Sequence, residues 1–277
     1  MEYTTLGETG ITVSRLCLGC MSFGTDASSK YEWSLGEDQS RKIIERAIEL
    51  GINFFDTSNS YSYGDSERVL GRSLADYDRD DQVVASKVRF ESTADADPNA
   101  SGLSRKTIEQ EVASSLERLD MDAIDLYQIH RWDYDTPIET TLRALDDTVR
   151  RGQVRHIGAS SMWAHQFAKS LATSEQLGLE RFATMQNHYN LAYREEEREM
   201  LPLCSREGIG VLPWSPLAAG FLTRPHDEQE ATERGRTDEH KRGRAYRAGA
   251  GETINERVAE LAREKGVSME QLSIAWL

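Results

Sequence analysis

The chain has 277 residues, of which 38% are hydrophobic, and its formal net charge is -14. That length suffices for one large domain with its own core, and the absence of any apolar run of about 18 residues or more excludes a membrane-spanning helix. The negative charge argues against nucleic acid and anionic lipid as partners, and the N-terminus MEYTTLGETG lacks the basic and apolar regions of a signal peptide, so a cytoplasmic location is expected.

An N-terminal hairpin and then alternating strands and helices are predicted in chain order. Gly7 and Gly10 lie between two short runs of β-formers over residues 3–14, which predicts the hairpin. Strands are predicted over residues 15–18, 53–56, 82–87, 124–130, 154–159, 183–186 and 210–214. Helices are predicted between them over residues 39–50, 66–74, 104–119, 137–151, 163–177 and 195–207. Ser66 and Ser104 are candidate N-caps, and Pro137 suits the first position of its helix.

The C-terminal part predicts a loop and two helices. Residues 222–251 are charged and rich in glycine, which predicts a long mobile loop within a single domain of residues 1–277. Helical spacing predicts helices over residues 254–265 and 268–277. No eighth strand is visible, so the eighth βα unit is expected to be missing and the domain to be C-terminally incomplete.

Strands that alternate with helices predict a parallel sheet, either an open doubly wound sheet or a closed barrel. No Gly-x-Gly-x-x-Gly fingerprint follows a predicted strand, and no Walker loop occurs. A barrel carries its reactive groups at the C-terminal ends of the strands. Polar residues cluster at those ends here, namely Asp56, Lys87, His130, Ser160, Gln186 and Ser215. The predicted fold is therefore α/β, a (β/α)8 TIM barrel.

Asp56 and Tyr61 form a suggestive pair where a predicted strand meets its loop. A phenol has an ordinary pKa of about 10 and becomes a useful proton donor only if a nearby positive charge lowers that value. Lys87 and His130 end neighbouring predicted strands and offer that charge and a second polar group. Alone, each is better explained as a turn residue, loop aromatic, surface charge or packed histidine, so the hypothesis rests on their joint placement.

Six segments resemble a known family in order along the chain: DTSNSYSYGDSERVLGRSL, ASKV, LYQIH, GAS, MQNHYNL and PWSPLAAGFL. Over residues 6–277 the chain resembles the aldo-keto reductase superfamily, most closely the branch with bacterial oxidoreductases, aryl-alcohol dehydrogenase-like enzymes and potassium-channel β-subunits. The resemblance implies NADPH-dependent reduction of a small-molecule aldehyde or ketone. The family's tetrad maps onto Asp56, Tyr61, Lys87 and His130. Tyr61 would protonate the carbonyl oxygen, Lys87 would lower the phenol pKa, Asp56 would hold Lys87, and His130 would donate a hydrogen bond to the carbonyl.

The resemblance also implies an NADP(H) site. Ser160, Ser161 and Gln186 would bind the nicotinamide carboxamide, although an asparagine is common in the family at the position of Ser161. Trp214 would stack under the nicotinamide ring. The pyrophosphate path would be lined by Ser215, Pro216, Leu217 and Gly220. The family's groups for the adenosine 2'-phosphate follow later in sequence, so a preference for NADPH over NADH rests on the resemblance alone.

Several alternatives stay open. The chain could be a cofactor-binding regulatory subunit like the channel β-subunits, or a barrel isomerase or lyase that acts on a sugar phosphate. Its six histidines show no paired ligand spacing, so no metal site is expected. Its acidic, lysine-poor composition resembles that of halophile proteins, with an ordinary acidic bacterial protein as the alternative. An aromatic mouth that favours an apolar or aryl carbonyl would be formed by Phe23, Tyr31, Trp33, Phe90, Trp132 and Trp163.

Overall fold

The structure is a computed structural model that describes residues 1–24, 32–94, 98–238, 246 and 249–277. The strands are β1 (Tyr3–Thr5), β2 (Thr12–Ser14), β3 (Leu18–Gly19), β4 (Phe54–Asp56), β5 (Val83–Val88), β6 (Ile124–Ile129), β7 (Val154–Ser160), β8 (Phe182–His188) and β9 (Gly210–Trp214). The helices are α1 (Glu37–Glu49), α2 (Asp65–Leu74), α3 (Arg105–Leu119), α4 (Ile138–Arg150), α5 (Ala164–Leu177), α6 (Met200–Arg206), α7 (Glu233–Thr237), α8 (Gly251–Lys265) and α9 (Met269–Trp276). Across these described ranges, no helix combines the length and the apolar content that a membrane crossing requires.

The predicted α/β class is confirmed. β1 and β2 pair antiparallel as the predicted hairpin, with Tyr3 opposite Ser14. The other seven strands form one sheet whose strand order follows the chain from β3 to β9. β3 to β7 pair in parallel, and a helix connects most successive strands. This is the strand and helix order of a (β/α)8 barrel, and each of the seven predicted barrel strands has a counterpart.

The chain divides into two compact units. The first comprises residues 1–30, 34–185 and 203–210. Its strands β5 and β6 are buried along their whole length, as expected for parallel strands that are covered on both faces. The second unit comprises residues 31–33, 186–202 and 211–277. The prediction of a single domain stays a prediction.

The second unit has its own apolar cluster. Its buried members are Ala218, Phe221, Leu222, Tyr246, Val258, Ala262 and Met269. Within the segment predicted as a loop, a 3-10 helix spans His226–Ala231 and α7 follows it. Asn255 of α8 donates through its side-chain amide to the carbonyl of Phe221 (2.5 Å) and to that of Arg224 (3.0 Å), which ties the start of this segment to the helix.

Some element boundaries differ from the prediction. β3 begins at Leu18, because the Arg15 amide donates to the carbonyl of Glu2 in the hairpin (2.9 Å) and does not pair in the main sheet. Ser66 is not an N-cap, since α2 already starts at residue 65. Pro137 is the N-cap of α4 and precedes its first residue. The predicted cap at Ser104 is confirmed: its Oγ accepts from the Thr107 amide (3.2 Å).

Candidate active site

The predicted catalytic residues lie at neighbouring strand ends of the first unit. Asp56 is the last residue of β4, Lys87 the penultimate residue of β5, and His130 follows β6. β4, β5 and β6 are adjacent parallel strands, so their C-terminal ends lie side by side. Tyr61 lies in the loop that follows β4, at the start of a 3-10 turn. The fold therefore brings these four side chains into one cluster.

The Lys87 ammonium is the centre of this cluster. Its side chain has 0% exposure and forms an ion pair with Asp56. Nζ also donates to the Thr57 carbonyl (2.8 Å) and to the Tyr61 hydroxyl (3.2 Å). A lysine ammonium has three donors, and all three are used by these partners. The buried charge is therefore both paired and hydrogen-bonded, and one of its three donors reaches the proposed proton donor.

A glutamine that the sequence analysis missed also contacts the Asp56 carboxylate. Nε2 of Gln128 donates to Oδ2 of Asp56 (2.9 Å), while the other carboxylate oxygen pairs with Lys87. Gln128 lies two residues before His130, and side chains at that spacing along a strand point to the same face. The alternation in the segment LYQIH was thus a signal that could have identified it.

The pKa of Tyr61 differs from the prediction, although Lys87 affects it in the predicted direction. Burial lowers the pKa of Lys87, but the negative charge of Asp56 and that of ionised Tyr61 raise it, so the net pKa lies above the ordinary value. Burial raises the pKa of Tyr61, and the positive charge of Lys87 lowers it by less, so the net pKa is raised. The Lys87 charge lowers the pKa of Tyr61 as predicted, but burial of the phenol raises that pKa by more.

The His130 ring is held on several sides. Its centroid lies 5.7 Å from that of Tyr61 and 5.0 Å from that of Phe90, with both rings edge-on. Nδ1 lies 3.1 Å from Oγ of Ser58, which is fully buried. The backbone amide of His130 donates to the Val88 carbonyl (2.9 Å), which continues the pairing of β5 with β6.

A buried ionic network supports the loop that carries Tyr61. Nδ2 of Asn59 donates to the Phe90 carbonyl (2.8 Å) and to Oε2 of Glu111 on α3 (2.8 Å). Arg118 lies about two turns further along α3 than Glu111. Its Nε donates to Glu67 of α2 (2.6 Å), and its Nη2 lies 3.7 Å from Glu111. Because these groups are buried, the network fixes the loop against two helices.

We expect Arg118→Lys to lower the free energy of unfolding by about 1–3 kcal/mol. A single ammonium cannot reproduce the fork that reaches Glu67 and Glu111 together, so one buried carboxylate loses its cationic partner. Urea unfolding at neutral pH measures the loss. Arg150→Lys is the matched control, because its pair with Asp146 is exposed on the arginine side, and no measurable change is expected there. Equal losses in both variants would contradict the role given to the network.

Strained backbone concentrates at the strand ends. Among the described residues other than glycine, seven with positive φ lie in loops after β4, β5, β7 and β9, namely Ser62, Tyr63, Arg89, Ser161, Ser215, Ala218 and Ala219. The one remaining such residue is Asp120, which ends α3. Conformations of this kind cost about 1–3 kcal/mol each and persist where the surroundings dictate them. Backbone strain of this kind is typical of functional loops, so each of these loops is a candidate to carry functional residues.

In the first unit, the predicted cofactor residues Ser160 and Ser161 lie at the end of β7. Ser160 is its last residue and fully buried, and Ser161 follows it with a φ of 49°. Their hydroxyl oxygens are 3.3 Å apart. Nη1 of Arg131, the residue after His130, donates to the His130 carbonyl (2.7 Å) and lies 3.4 Å from Oγ of Ser160.

In the second unit, Trp214 ends β9 and is half-buried, so it is not plain core. The ring of His188 stacks on it (centroids 4.2 Å apart) and on Tyr193 (4.1 Å). Gln186, also predicted to bind cofactor, is buried within β8. One face of the Trp214 indole is therefore already packed against an imidazole.

The predicted pyrophosphate segment follows β9 directly and consists of Ser215, Pro216, Leu217 and Gly220. Ser215 has a φ of 53°, and its carbonyl accepts from Nδ2 of Asn190 (2.9 Å). Gly220 has a φ of 96°, and a Cβ added there would meet no atom within 4 Å. The hydrogen bond from Asn190 thus holds the start of the segment, and there is open space beside Gly220.

The predicted aromatic residues lie in different environments. Phe90 packs edge-on against His130, and Trp163 is exposed by 67%. Phe23 and Trp33 are buried core residues. Trp132 is half-buried, and Tyr31 lies outside the described residues. Phe90 is thus in ring contact with one of the predicted catalytic residues.

Comparison with known proteins gives concordant matches. A model of the aldo/keto reductase family matches residues 15–277. Aldo-keto reductase AMT2 of Alternaria alternata is 40% identical over 302 residues, which cover 99% of this chain and 80% of that protein. Aldo-keto reductase dtxS3 of Metarhizium robertsii is 40% identical over 302 residues, with coverages of 100% and 80%. Versiconal hemiacetal acetate reductase of Aspergillus parasiticus is 41% identical over 296 residues, with coverages of 100% and 85%.

Proposed function

This chain belongs to the aldo/keto reductase family, and from that premise we propose that it transfers hydride from NADPH to the carbonyl carbon of an aldehyde or ketone. Membership makes the chain an oxidoreductase that reduces carbonyls. The observation that carries the finer proposal is the buried Lys87 ammonium, bonded at once to Asp56, to a backbone carbonyl and to the Tyr61 hydroxyl. A cation placed in this way stabilises the phenolate that proton donation leaves behind.

Each tetrad residue has one task in this proposal. Tyr61 gives its proton to the carbonyl oxygen as negative charge develops there. Lys87 stabilises the resulting phenolate, and Asp56 keeps the ammonium charged and in place. His130 donates a hydrogen bond to the same oxygen and orients the carbonyl. NADPH, when bound, supplies the hydride, and the protein supplies position and electrostatics.

The family resemblance assigns the nicotinamide to four residues, and we keep this assignment as part of the proposal. By their chemistry, Ser160, Ser161 and Gln186 can each hydrogen-bond a carboxamide, and Trp214 can stack on an aromatic ring. Gly220 supports the proposed pyrophosphate path, since open space at a glycine permits close approach of a phosphate. NADP(H) rather than NAD(H) is proposed from the family.

Titration of the folded chain with NADPH, beside NADH, tests the proposal through tryptophan fluorescence. Saturable quenching that is tighter for NADPH is expected, and Trp214→Phe should remove most of the signal. NADPH consumption with a panel of aryl, aliphatic and sugar aldehydes then tests turnover. We propose an apolar or aryl carbonyl, because Phe90 packs beside His130. Tight NADPH binding without turnover of any carbonyl would favour a regulatory subunit and overturn the reductase proposal.

The raised pKa of Tyr61 predicts different pH dependences for the two reaction directions. Reduction needs the protonated phenol, which is present at every pH below the raised pKa, so kcat for reduction should stay flat from about pH 6 to 9. Alcohol oxidation needs the phenolate as base, so its rate should rise with pH across that range. An alkoxide is more basic than a phenolate, so the raised pKa does not hinder reduction. Initial rates in both directions measure this, and a fall of the reduction kcat between pH 7 and 9 would contradict it.

A further inference from the structure

We propose that Ser58 is a positioning residue that donates a hydrogen bond to Nδ1 of His130 and so keeps the ring proton on Nε2. The proposal rests on the proposed function, because it explains how His130 can be a donor to the carbonyl. A neutral imidazole carries its proton on one nitrogen, and the partner of the other nitrogen decides which. Ser58 is the hydroxyl placed at Nδ1, at a distance of 3.1 Å.

The contacts of Ser58 favour its acting as the donor. Its side chain is fully buried. Oγ already lies 3.3 Å from the Ser60 amide, which donates to it, so the hydroxyl hydrogen is available for another acceptor. The contact to Nδ1 (3.1 Å) is shorter than that to Oδ1 of the adjacent Asn59 (3.3 Å), which is one competing acceptor. Oγ of Ser60, also at 3.1 Å, is a hydroxyl, so it can donate to Ser58 and leave the Ser58 hydrogen for Nδ1.

The surroundings of the ring hold this arrangement in place. Tyr61 and Phe90 pack edge-on against the imidazole, which limits its rotation. The Phe90 carbonyl accepts from the side-chain Nδ2 of Asn59 (2.8 Å), and the same Nδ2 donates to Glu111. The loop that carries Ser58 is thus fixed against the segment that carries Phe90. Ser58 therefore approaches Nδ1 from a fixed position.

The chemical consequence concerns the substrate oxygen. With the proton on Nε2, the ring can donate to a carbonyl and strengthen that bond as charge develops on the oxygen. With the proton on Nδ1, a nitrogen lone pair would instead face the oxygen lone pairs. Loss of the Ser58 hydroxyl would let both tautomers form and reduce the fraction of productive rings.

Nitrogen NMR of histidine-labelled protein tests the tautomer without any cofactor or substrate. His130→Gln identifies the His130 signals by their disappearance. In the wild-type chain the spectrum should show a protonated Nε2 and an unprotonated Nδ1, and Ser58→Ala should show a mixture. For carbonyl reduction, kcat should fall about five- to tenfold in Ser58→Ala, with KM for NADPH unchanged. Ser58→Thr, which keeps the hydroxyl, should show the spectrum and the rate of the wild-type chain.

The control is Ser73→Ala, which removes another buried hydroxyl, bonded within α2 to the Val69 carbonyl (2.7 Å). It should change neither the His130 spectrum nor kcat. A wild-type spectrum with the proton on Nδ1, or an unchanged spectrum in Ser58→Ala, would overturn the proposal. If the wild-type chain reduces no carbonyl, the proposed function fails, while the spectrum still decides the role of Ser58.

Discussion

Tyr61→Phe is expected to lower kcat for carbonyl reduction by about 10²- to 10⁴-fold, the usual contribution of a positioned general acid. The change removes a single oxygen, the one that lies 3.2 Å from the Lys87 ammonium. The phenyl ring can keep its edge-on contact with His130, so folding should be preserved. The dissociation constant for NADPH should change less than twofold. Steady-state rates and a fluorescence titration on the same preparation measure both quantities.

Tyr63→Phe is the matched control, since it removes a phenolic hydroxyl from the same loop two residues on. Its kcat should remain within about a factor of three of the wild-type value. A Tyr61→Phe protein that binds NADPH normally and still turns over at a similar rate would show that another group protonates the carbonyl. In that case the tetrad assignment fails, whereas family membership is unaffected.

Lys87→Met is expected to affect stability and catalysis together. Methionine fills a similar volume but leaves the Asp56 carboxylate in its buried position without the ammonium, and breaking a buried pair costs about 3–5 kcal/mol. The phenolate at Tyr61 loses its stabilising charge, so kcat should fall at least about 100-fold. Urea unfolding at pH 7 and steady-state kinetics measure the two losses.

Two further measurements test whether the lost pair of Asp56 with Lys87 causes the loss of stability: the pH dependence of unfolding and a double variant. Because the folded-state pKa of Lys87 is raised, its stabilising contribution is complete below its ordinary pKa, about 10, and is lost only as pH rises through the higher folded value. Asp56→Asn combined with Lys87→Met should lose less stability than the two single changes added together. The exposed pair of Arg72 with Glu37 is the control, where Arg72→Met should cost at most about 1 kcal/mol. Additive losses at positions 56 and 87 would contradict the pairing.

The sequence was sufficient to predict the strands and the residues at their ends. Strands such as β5 and β6 are short segments that combine β-branched or aromatic residues with a few polar ones, and the C-terminal ends of neighbouring strands meet in any parallel sheet. Asp56, Lys87 and His130 could therefore be grouped before any coordinates. β3 was placed too early, because pairing with Glu2 in the hairpin takes the Arg15 amide, and a local pattern does not show that competition.

The contacts that hold the loop after β4 in place could not be predicted in the same way. Asn59 and Glu111 are 52 residues apart, and their hydrogen bond depends on how α3 packs behind β5. At Gly71 an added Cβ would overlap the Leu119 carbonyl, so the close approach of α2 to α3 also depends on three-dimensional packing. The net pKa of Tyr61 depends on the balance between its burial and the Lys87 charge, and a sequence gives only the sign of the second.

The distribution of strained backbone has a consequence for engineering thermal tolerance. Seven of the eight described non-glycine residues with positive φ lie in strand-end loops, which carry or adjoin the proposed site residues, so we expect replacements there to lower activity. Asp120 is the exception, an exposed left-handed residue that ends α3. Glycine is the residue that helix ends prefer in this conformation, and Asp120→Gly would relieve roughly 1 kcal/mol. Heat resistance can thus be raised at this helix end while the strand-end loops keep their native sequence.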